Sequence, residues 1–209
     1  MSDLLVEPIA IIGMAGRFPG AAGTRQLWEL LVAGEEAVRF PAEDELRSRG
    51  VSPEALADPA YVRAVAEPAG IDLFDAGFFG LTRREADVCD PQLRLYLETA
   101  HAAVENAGYD ATRLGRAGVF SSVAANRYGI GRILANLEAL RSATGMGAGM
   151  WNNPDSASTL VSYKLNLNGP SLTVQTACSS SLVAVHLAVN ALRLRECDVA
   201  LAGGADVEF

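Results

Sequence analysis

The chain has 209 residues, half of them hydrophobic and 20% charged, with a formal net charge of −8 and a pI near 4.8. A mean hydropathy of +0.17 supports a sizeable core and argues against disorder, and the acidic balance disfavours nucleic acid, whose phosphates need an electropositive face. No run of about 18 apolar residues marks a membrane span; the opening Met1–Glu7 lacks the basic region of a signal peptide; and three widely spaced cysteines without a CxxC pair (Cys89, Cys178, Cys197) suit neither a disulfide framework nor a zinc site.

In chain order, the first expected element is the apolar run Pro8–Gly13, which has the pattern of a strand covered on both faces. Thr24 is placed to cap a helix through Leu27, Trp28, Leu30 and Leu31, ended by Gly34. Residues 35–69 are acidic and interrupted by prolines including Pro41, Pro53 and Pro68, and read as a surface insertion with short helical pieces. Asp90-Pro91 is a strong helix start, with the acid as N-cap and proline in the first turn. Leu93, Leu97, Ala100, Val104 and Ala107 supply its apolar stripe, and Gly108 ends it. Gly118–Val123 reads as a second strand, and the Gly145–Gly149 cluster around Met146 and Met150 as a mobile loop. Asp155 is expected to cap a helix running to Asn168, stopped by Gly169-Pro170.

The last third combines three elements. Ser171–Thr176 alternates polar and apolar residues as a strand does. Leu182, Val183, Val185, Leu187, Val189, Leu192 and Leu194 form a helix apolar nearly all round, the pattern of a buried one. Asp198–Gly204 closes as another buried strand. Strand, helix and strand with a right-handed crossover make a parallel α/β unit.

Cys178 lies in the small-residue turn Ala177–Ser181, where the strand becomes the helix. A helix N-terminus offers free N–H groups and partial positive charge, which favour thiolate and can cradle an oxyanion. Ala177 and Ser179 leave room for an acyl chain, so the turn reads as a nucleophile elbow with sulfur in place of oxygen. On this pattern alone an inert buried cysteine is an equal alternative. Gly13-Met14-Ala15-Gly16 follows the first expected strand, but GxxGxxxG is not a dinucleotide fingerprint. His101 sits on the packed face of its helix. His186 lies eight residues beyond Cys178, roughly 12 Å along a helix axis, too far to exchange a proton with the sulfur. Cys89 and Cys197 read as buried, and Arg83-Arg84 as a solvated pair with carrier-protein contact as the minor alternative.

The segment Val174–Leu182, VQTACSSSL, resembles the active-site signature of β-ketoacyl synthases. So do IAIIGMAGRFP from Ile9 to Pro19, DPQLRLYLE from Asp90 to Glu98, VSYKLNLNGPS from Val161 to Ser171 and CDVALAGGADV from Cys197 to Val207. All five match polyketide ketosynthase domains in order and spacing. The resemblance implies a thiolase-like layered α/β fold, of which this chain is the N-terminal half with the second half incomplete. It also implies that Cys178 takes an acyl group from the phosphopantetheine of an acyl carrier protein, for decarboxylative condensation with a malonyl-type extender. No cofactor or metal is expected on the chain itself. The implied partners are the acyl carrier protein, the C-terminal ketosynthase half and a second copy, as a homodimer formed along the strand before the nucleophile. No nucleic acid or membrane partner is expected, and the location is expected to be cytoplasmic.

The chain departs from that pattern in one large respect. Condensing ketosynthases use two histidine motifs, His-Gly-Thr-Gly-Thr and Lys-x-Asn-x-Gly-His, downstream of the cysteine; neither motif occurs in the 31 residues after Cys178, whose one histidine is His186. The expectation is therefore a fragment or half enzyme, truncated before those motifs and unable to condense alone. A non-catalytic remnant or partner that dimerises or binds carrier protein is the alternative. Leu160 stands where the family usually has arginine, and Cys89 where methionine is common.

Overall fold

The structure is a computed structural model that describes residues 7–126, 128 and 151–207. It divides into two units, one of residues 16–70 and one comprising 7–15 with 71–207. The Gly145–Gly149 segment lies outside the described residues.

The smaller unit contains three short helices, α1 (Thr24–Ala33), α2 (Glu43–Ser48) and α3 (Pro53–Ala57). Thr24 begins α1 rather than capping it: Gly23 holds the N-cap position, and no side chain bonds the first turn. Gly34 ends the helix as expected, in a left-handed conformation at φ 68° that glycine adopts without steric penalty. Isolated bridges Pro19–Pro68 and Arg39–Val65 close the unit on itself. Glu67 accepts from Arg39 at 2.8 Å and from Arg49 at 2.7 Å, and Glu45 faces the same two guanidiniums. The Arg49 guanidinium, followed by Arg39, holds the Glu67 carboxyl down at about 2.

In the larger unit, α4 (Arg83–Val88) starts with a reciprocal capping box between Thr82 and Glu85. Helix α5 (Pro91–Asn106) starts as the sequence predicts: Asp90 accepts the Gln92 N–H at 2.9 Å, and proline occupies the first turn. Burial pushes the Asp90 carboxyl above its ordinary range, and Gln92 Nε2 donates to it at 3.3 Å. Gln92 Oε1 in turn accepts the Val207 N–H at 3.0 Å. The Asp-Pro-Gln triplet thus ties the start of α5 to the end of the last strand.

Among the described residues, three strands form one parallel sheet in the order β2-β1-β3: β1 (Ala117–Val123), β2 (Ser171–Thr173) and β3 (Val199–Ala205). Val119–Ser171 to Ser121–Thr173 set one register, and Ala117–Val199 to Val123–Ala205 the other. Every residue of the central β1 is buried, as a parallel strand covered on both faces requires. Its alternation sorts the layers. Ala117, Val119 and Val123 enter a core with Leu93, Leu97 and Val104 of α5 and with Leu160 and Val161 of α6 (Ala157–Leu165). Phe120 points the other way, into a cluster with Ala184, Ala188 and Ala191 of α7 (Ser180–Arg193) and with Cys197. Helix α7 carries the chain from β2 across to β3, so this unit is a three-layer α/β/α arrangement.

Besides the cap at Thr24, four other expectations change. Pro8–Gly13 forms no strand: no edge of this sheet pairs with it, and Ile11 is 82% exposed. Met14 instead donates its N–H to Asn106 Oδ1 at the end of α5, at 2.9 Å. The helix expected to run to Asn168 is shorter. A 3-10 turn (Pro154–Ser156) precedes α6, Asp155 does not cap it, and Asn166 ends it in the left-handed region at φ 54°. Gly169 serves packing rather than helix termination, since a Cβ there would stand 2.5 Å from the Ala117 carbonyl carbon. The strand predicted over 171–176 keeps only its first three residues, because the chain must turn from the sheet into α7. Finally, α7 is not buried all round: only Ser180, Ala184, Ala188 and Ala191 are, while Leu182 and Val185 are exposed. The sheet covers one face, where Ala184, Ala188 and Ala191, four and three residues apart, allow close approach; the apolar side chains opposite have no layer over them among the described residues.

Candidate active site

After β2 the backbone holds to the sheet for one more bond, from the Val174 N–H to the Ser121 carbonyl at 2.7 Å. Gln175 Nε2 then donates to the Val123 carbonyl at the end of β1, at 2.6 Å. From there the chain reverses. Thr176 leaves the extended region, and Ala177 takes φ 53°, left-handed and unusual for a residue with a Cβ. That conformation costs on the order of 1–2 kcal/mol, so it persists where the surroundings hold it. A 3-10 turn over Ala177–Ser179 leads directly into α7.

Cys178 is the middle residue of that turn, and its side chain is exposed. It sits two residues before the first α-helical residue, rather than within the helix. No side chain caps the start of α7, which has the positive dipole end general to helices, while the 3-10 turn before it pairs the Ser179 N–H with the Thr176 carbonyl and the Ser180 N–H with the Ala177 carbonyl. The serines after the cysteine bind the turn instead. Ser179 Oγ donates towards the Thr176 carbonyl at 2.9 Å and meets Thr176 Oγ1 at 3.0 Å. Ser180 Oγ accepts the Thr176 N–H at 2.8 Å and donates to the Ala177 carbonyl at 2.7 Å. The sequence reading singled out Cys178 and missed Gln175, Thr176 and Ser180. The available signal was a run of three serines at a strand-to-helix turn, where hydroxyls bond local backbone.

The other two thiols differ from this one. Cys89 follows α4, is 1% exposed, and is pushed up to about 12 by burial. Cys197 packs beneath α7 at 2% exposure, and burial is again the largest influence raising its thiol. Both match the expectation of buried cysteines.

Neither histidine joins the sulfur. The His101 ring packs edge-on against Phe78 and Phe79, with centroids 5.0 and 6.0 Å apart, and its Nδ1 lies 3.5 Å from Glu105. His186 Nε2 is 3.0 Å from the amide of Asn190, one turn along α7. Arg83 and Arg84 lie exposed on α4, with Arg83 Nε 4.0 Å from Asp87. Leu160, where the family usually carries arginine, is buried in the α5–α6–β1 core.

The structure thus presents Cys178 as an exposed thiol in a left-handed turn between a parallel strand and a helix. The pattern described as "Beta-ketoacyl synthase, N-terminal domain" matches residues 6–209. The chain belongs to the β-ketoacyl synthase family. Over 206 residues it is 46% identical to a phenolphthiocerol/phthiocerol polyketide synthase of Mycobacterium tuberculosis, covering 95% of this chain and 14% of that protein. It is also 46% identical to the pikromycin polyketide synthase component PikAII of Streptomyces venezuelae, covering 96% of this chain and 5% of that one. Among solved structures it resembles ketosynthase twelve of the bacillaene polyketide synthase of Bacillus amyloliquefaciens, at 38% identity and a TM-score of 0.85. The match spans 95% of this chain and 35% of that one. The oxazolomycin ketosynthase domain OzmH KS7 of Streptomyces albus aligns at 36% identity with a TM-score of 0.80, over 97% of this chain and 35% of that one.

The chain therefore has the thiolase-like α/β fold, covering one half of it, and is the N-terminal ketosynthase type found in modular polyketide synthases. It spans a small share of its curated relatives and about a third of the solved ketosynthase chains. Among the described residues, no helix is long and apolar enough to cross a membrane.

Proposed function

We propose that Cys178 is the acyl-accepting nucleophile of a polyketide-type condensing enzyme. Its sulfur attacks the carbonyl of an acyl thioester borne on the phosphopantetheine of an acyl carrier protein. A new Sγ–carbon bond forms, the carbon–sulfur bond to the carrier breaks, and the cysteine's proton ends on the released carrier thiol. The N–H groups at the start of α7 lie at the same turn and are suited to stabilising the oxyanion formed in between. The observation that carries this reading is the contrast among the thiols. Cys178 alone is exposed, in a strained turn at a helix start, while Cys89 and Cys197 are buried with raised thiols.

Condensation asks for more than these 209 residues supply. Decarboxylating a malonyl extender calls for imidazoles near the sulfur; the sequence has two histidines, and both are engaged elsewhere. The isolated 209 residues thus load an acyl group without forming a carbon–carbon bond, and act as a half enzyme beside a C-terminal ketosynthase half. That half covers the exposed apolar side of α7, β2 pairs with its twin in a homodimer, and the assembly works in the cytoplasm on carrier-protein substrates. The chain itself binds no cofactor; the phosphopantetheine arrives on the carrier.

The test is acyl loading from an acyl-pantetheine thioester, read by peptide mass spectrometry. One acyl group on Cys178, absent in C178A, is expected. An intact chain that takes no acyl group, or takes it on another residue, refutes the reading. It would then favour the alternative of a non-catalytic partner, which the exposed Leu172, Leu182 and Val185 also suit.

A further inference from the structure

Resting on the reading of Cys178 as the acyl acceptor, we infer that Ser180 is the positioning residue for that nucleophile: its buried hydroxyl clamps the left-handed turn that presents the sulfur. Two bonds carry the inference. The Ser180 hydroxyl accepts the Thr176 N–H at 2.8 Å and donates to the Ala177 carbonyl at 2.7 Å. One side chain therefore satisfies a polar group on each of the two residues before Cys178.

Burial decides why this serine matters more than its neighbour. Ser179 ties the same Thr176, but it is exposed and its bonds compete with water. Ser180 is 5% exposed, so its hydroxyl is shielded from water, and removing it takes a side-chain partner from the Thr176 N–H and from the Ala177 carbonyl that water on the Ser180 side cannot readily replace. The conformation at stake is the uncommon one. Ala177 at φ 53° has no glycine-like freedom, and an alanine stays left-handed only where its surroundings over-determine it. The Ser180 bonds to the Thr176 N–H and to the Ala177 carbonyl flank the peptide unit between those two residues, which must rotate if Ala177 relaxes. Relaxation would swing Cys178, the next residue, away from the start of α7. Serine within the first turn of a helix commonly bonds a carbonyl three or four residues back. Here it also accepts from the residue four back, which turns a common helix bond into a two-sided brace across the elbow.

The experiment uses the full chain and follows two rates at Cys178: acyl loading from acyl-pantetheine, and alkylation by iodoacetamide across a pH series. Labelling of Cys89 and Cys197 reports whether the fold is intact. In S180A, both buried thiols should stay protected while both rates at Cys178 fall about tenfold, the effect of losing a buried two-sided hydrogen bond near the reacting atom. Ser180→Thr, which keeps a hydroxyl, should recover most of the rate. An S180A chain with protected Cys89 and Cys197 and unchanged rates at Cys178 overturns the inference. Should S180A expose the buried thiols, the pair S180T and S180V decides, because they match in volume and differ in the hydroxyl; equal rates in that pair overturn it. A wild-type chain that takes no acyl group refutes the acyl-acceptor reading instead. The alkylation rates then still judge Ser180, because they report how the sulfur is presented and need no acyl transfer.

Discussion

Limiting alkylation gives the most direct measure of how differently this fold treats its three cysteines. The thiolate is the reacting species, so the rate at each site scales with its thiolate fraction as well as its access. Burial pushes Cys89 up to about 12. At pH 7 roughly one Cys89 in a hundred thousand is then ionised, against about 3% for a cysteine at the ordinary value of about 8.5. That difference alone slows Cys89 by about three powers of ten relative to an ordinary cysteine, before its 1% exposure slows access further. Cys197 is shifted in the same direction by the same cause and is 2% exposed. With iodoacetamide below one equivalent, peptide mass spectrometry should find the label on Cys178 almost alone. Repeating the reaction in denaturant should bring the three sites to comparable rates, which shows that the fold sets the selectivity. Label on Cys89 or Cys197 at a rate comparable with Cys178 in folded protein would refute the elbow geometry and the burial argument together.

Other outcomes follow from the same structure. The isolated chain should form no carbon–carbon bond with malonyl-carrier protein, and a matching C-terminal half should restore condensation through Cys178; product mass is the readout, and condensation by the chain alone would show the histidine requirement to be wrong. The uncovered side chains Leu172, Leu182 and Val185 should make the isolated chain dimeric, molten or aggregated, as seen by sedimentation velocity with ANS fluorescence; a monomer with a cooperative melt and no ANS binding would contradict this. Glu67 is held at about 2, below its ordinary 4.5, so its contribution to the stability of residues 16–70 is present above pH 4.5 and lost as pH falls from there towards 2. Hydrogen exchange over that segment should show the loss, and E67Q should flatten it; an unchanged acid profile in E67Q would remove Glu67 from the account.

Much of this protein is legible in its sequence because the relevant signals are local. Asp90-Pro91 starts α5 in the structure because a carboxylate beside a proline satisfies the first helical N–H groups whatever surrounds them. Gly118–Val123 reads as a strand and is one, extended by Ala117, since a continuous apolar run suits the centre of a parallel sheet. Cys178 can be placed at a strand-to-helix turn from the switch of period around it, and the five collinear motifs then name the family. What faces what is a different kind of information. The run Pro8–Gly13 has the residues of a strand, but a strand exists only where another edge accepts its hydrogen bonds, and no strand of this sheet does so. An all-round apolar α7 says that every face can be buried, while the packing shows that only the alanine face is. The left-handed turn at Ala177 and the brace from Ser180 were equally out of reach, because an alanine carries no mark of positive φ and a serine no mark of which backbone groups it will meet. Those depend on strand β2 and helix α7 being fixed at once by the sheet beneath them, and only the tertiary structure decides that.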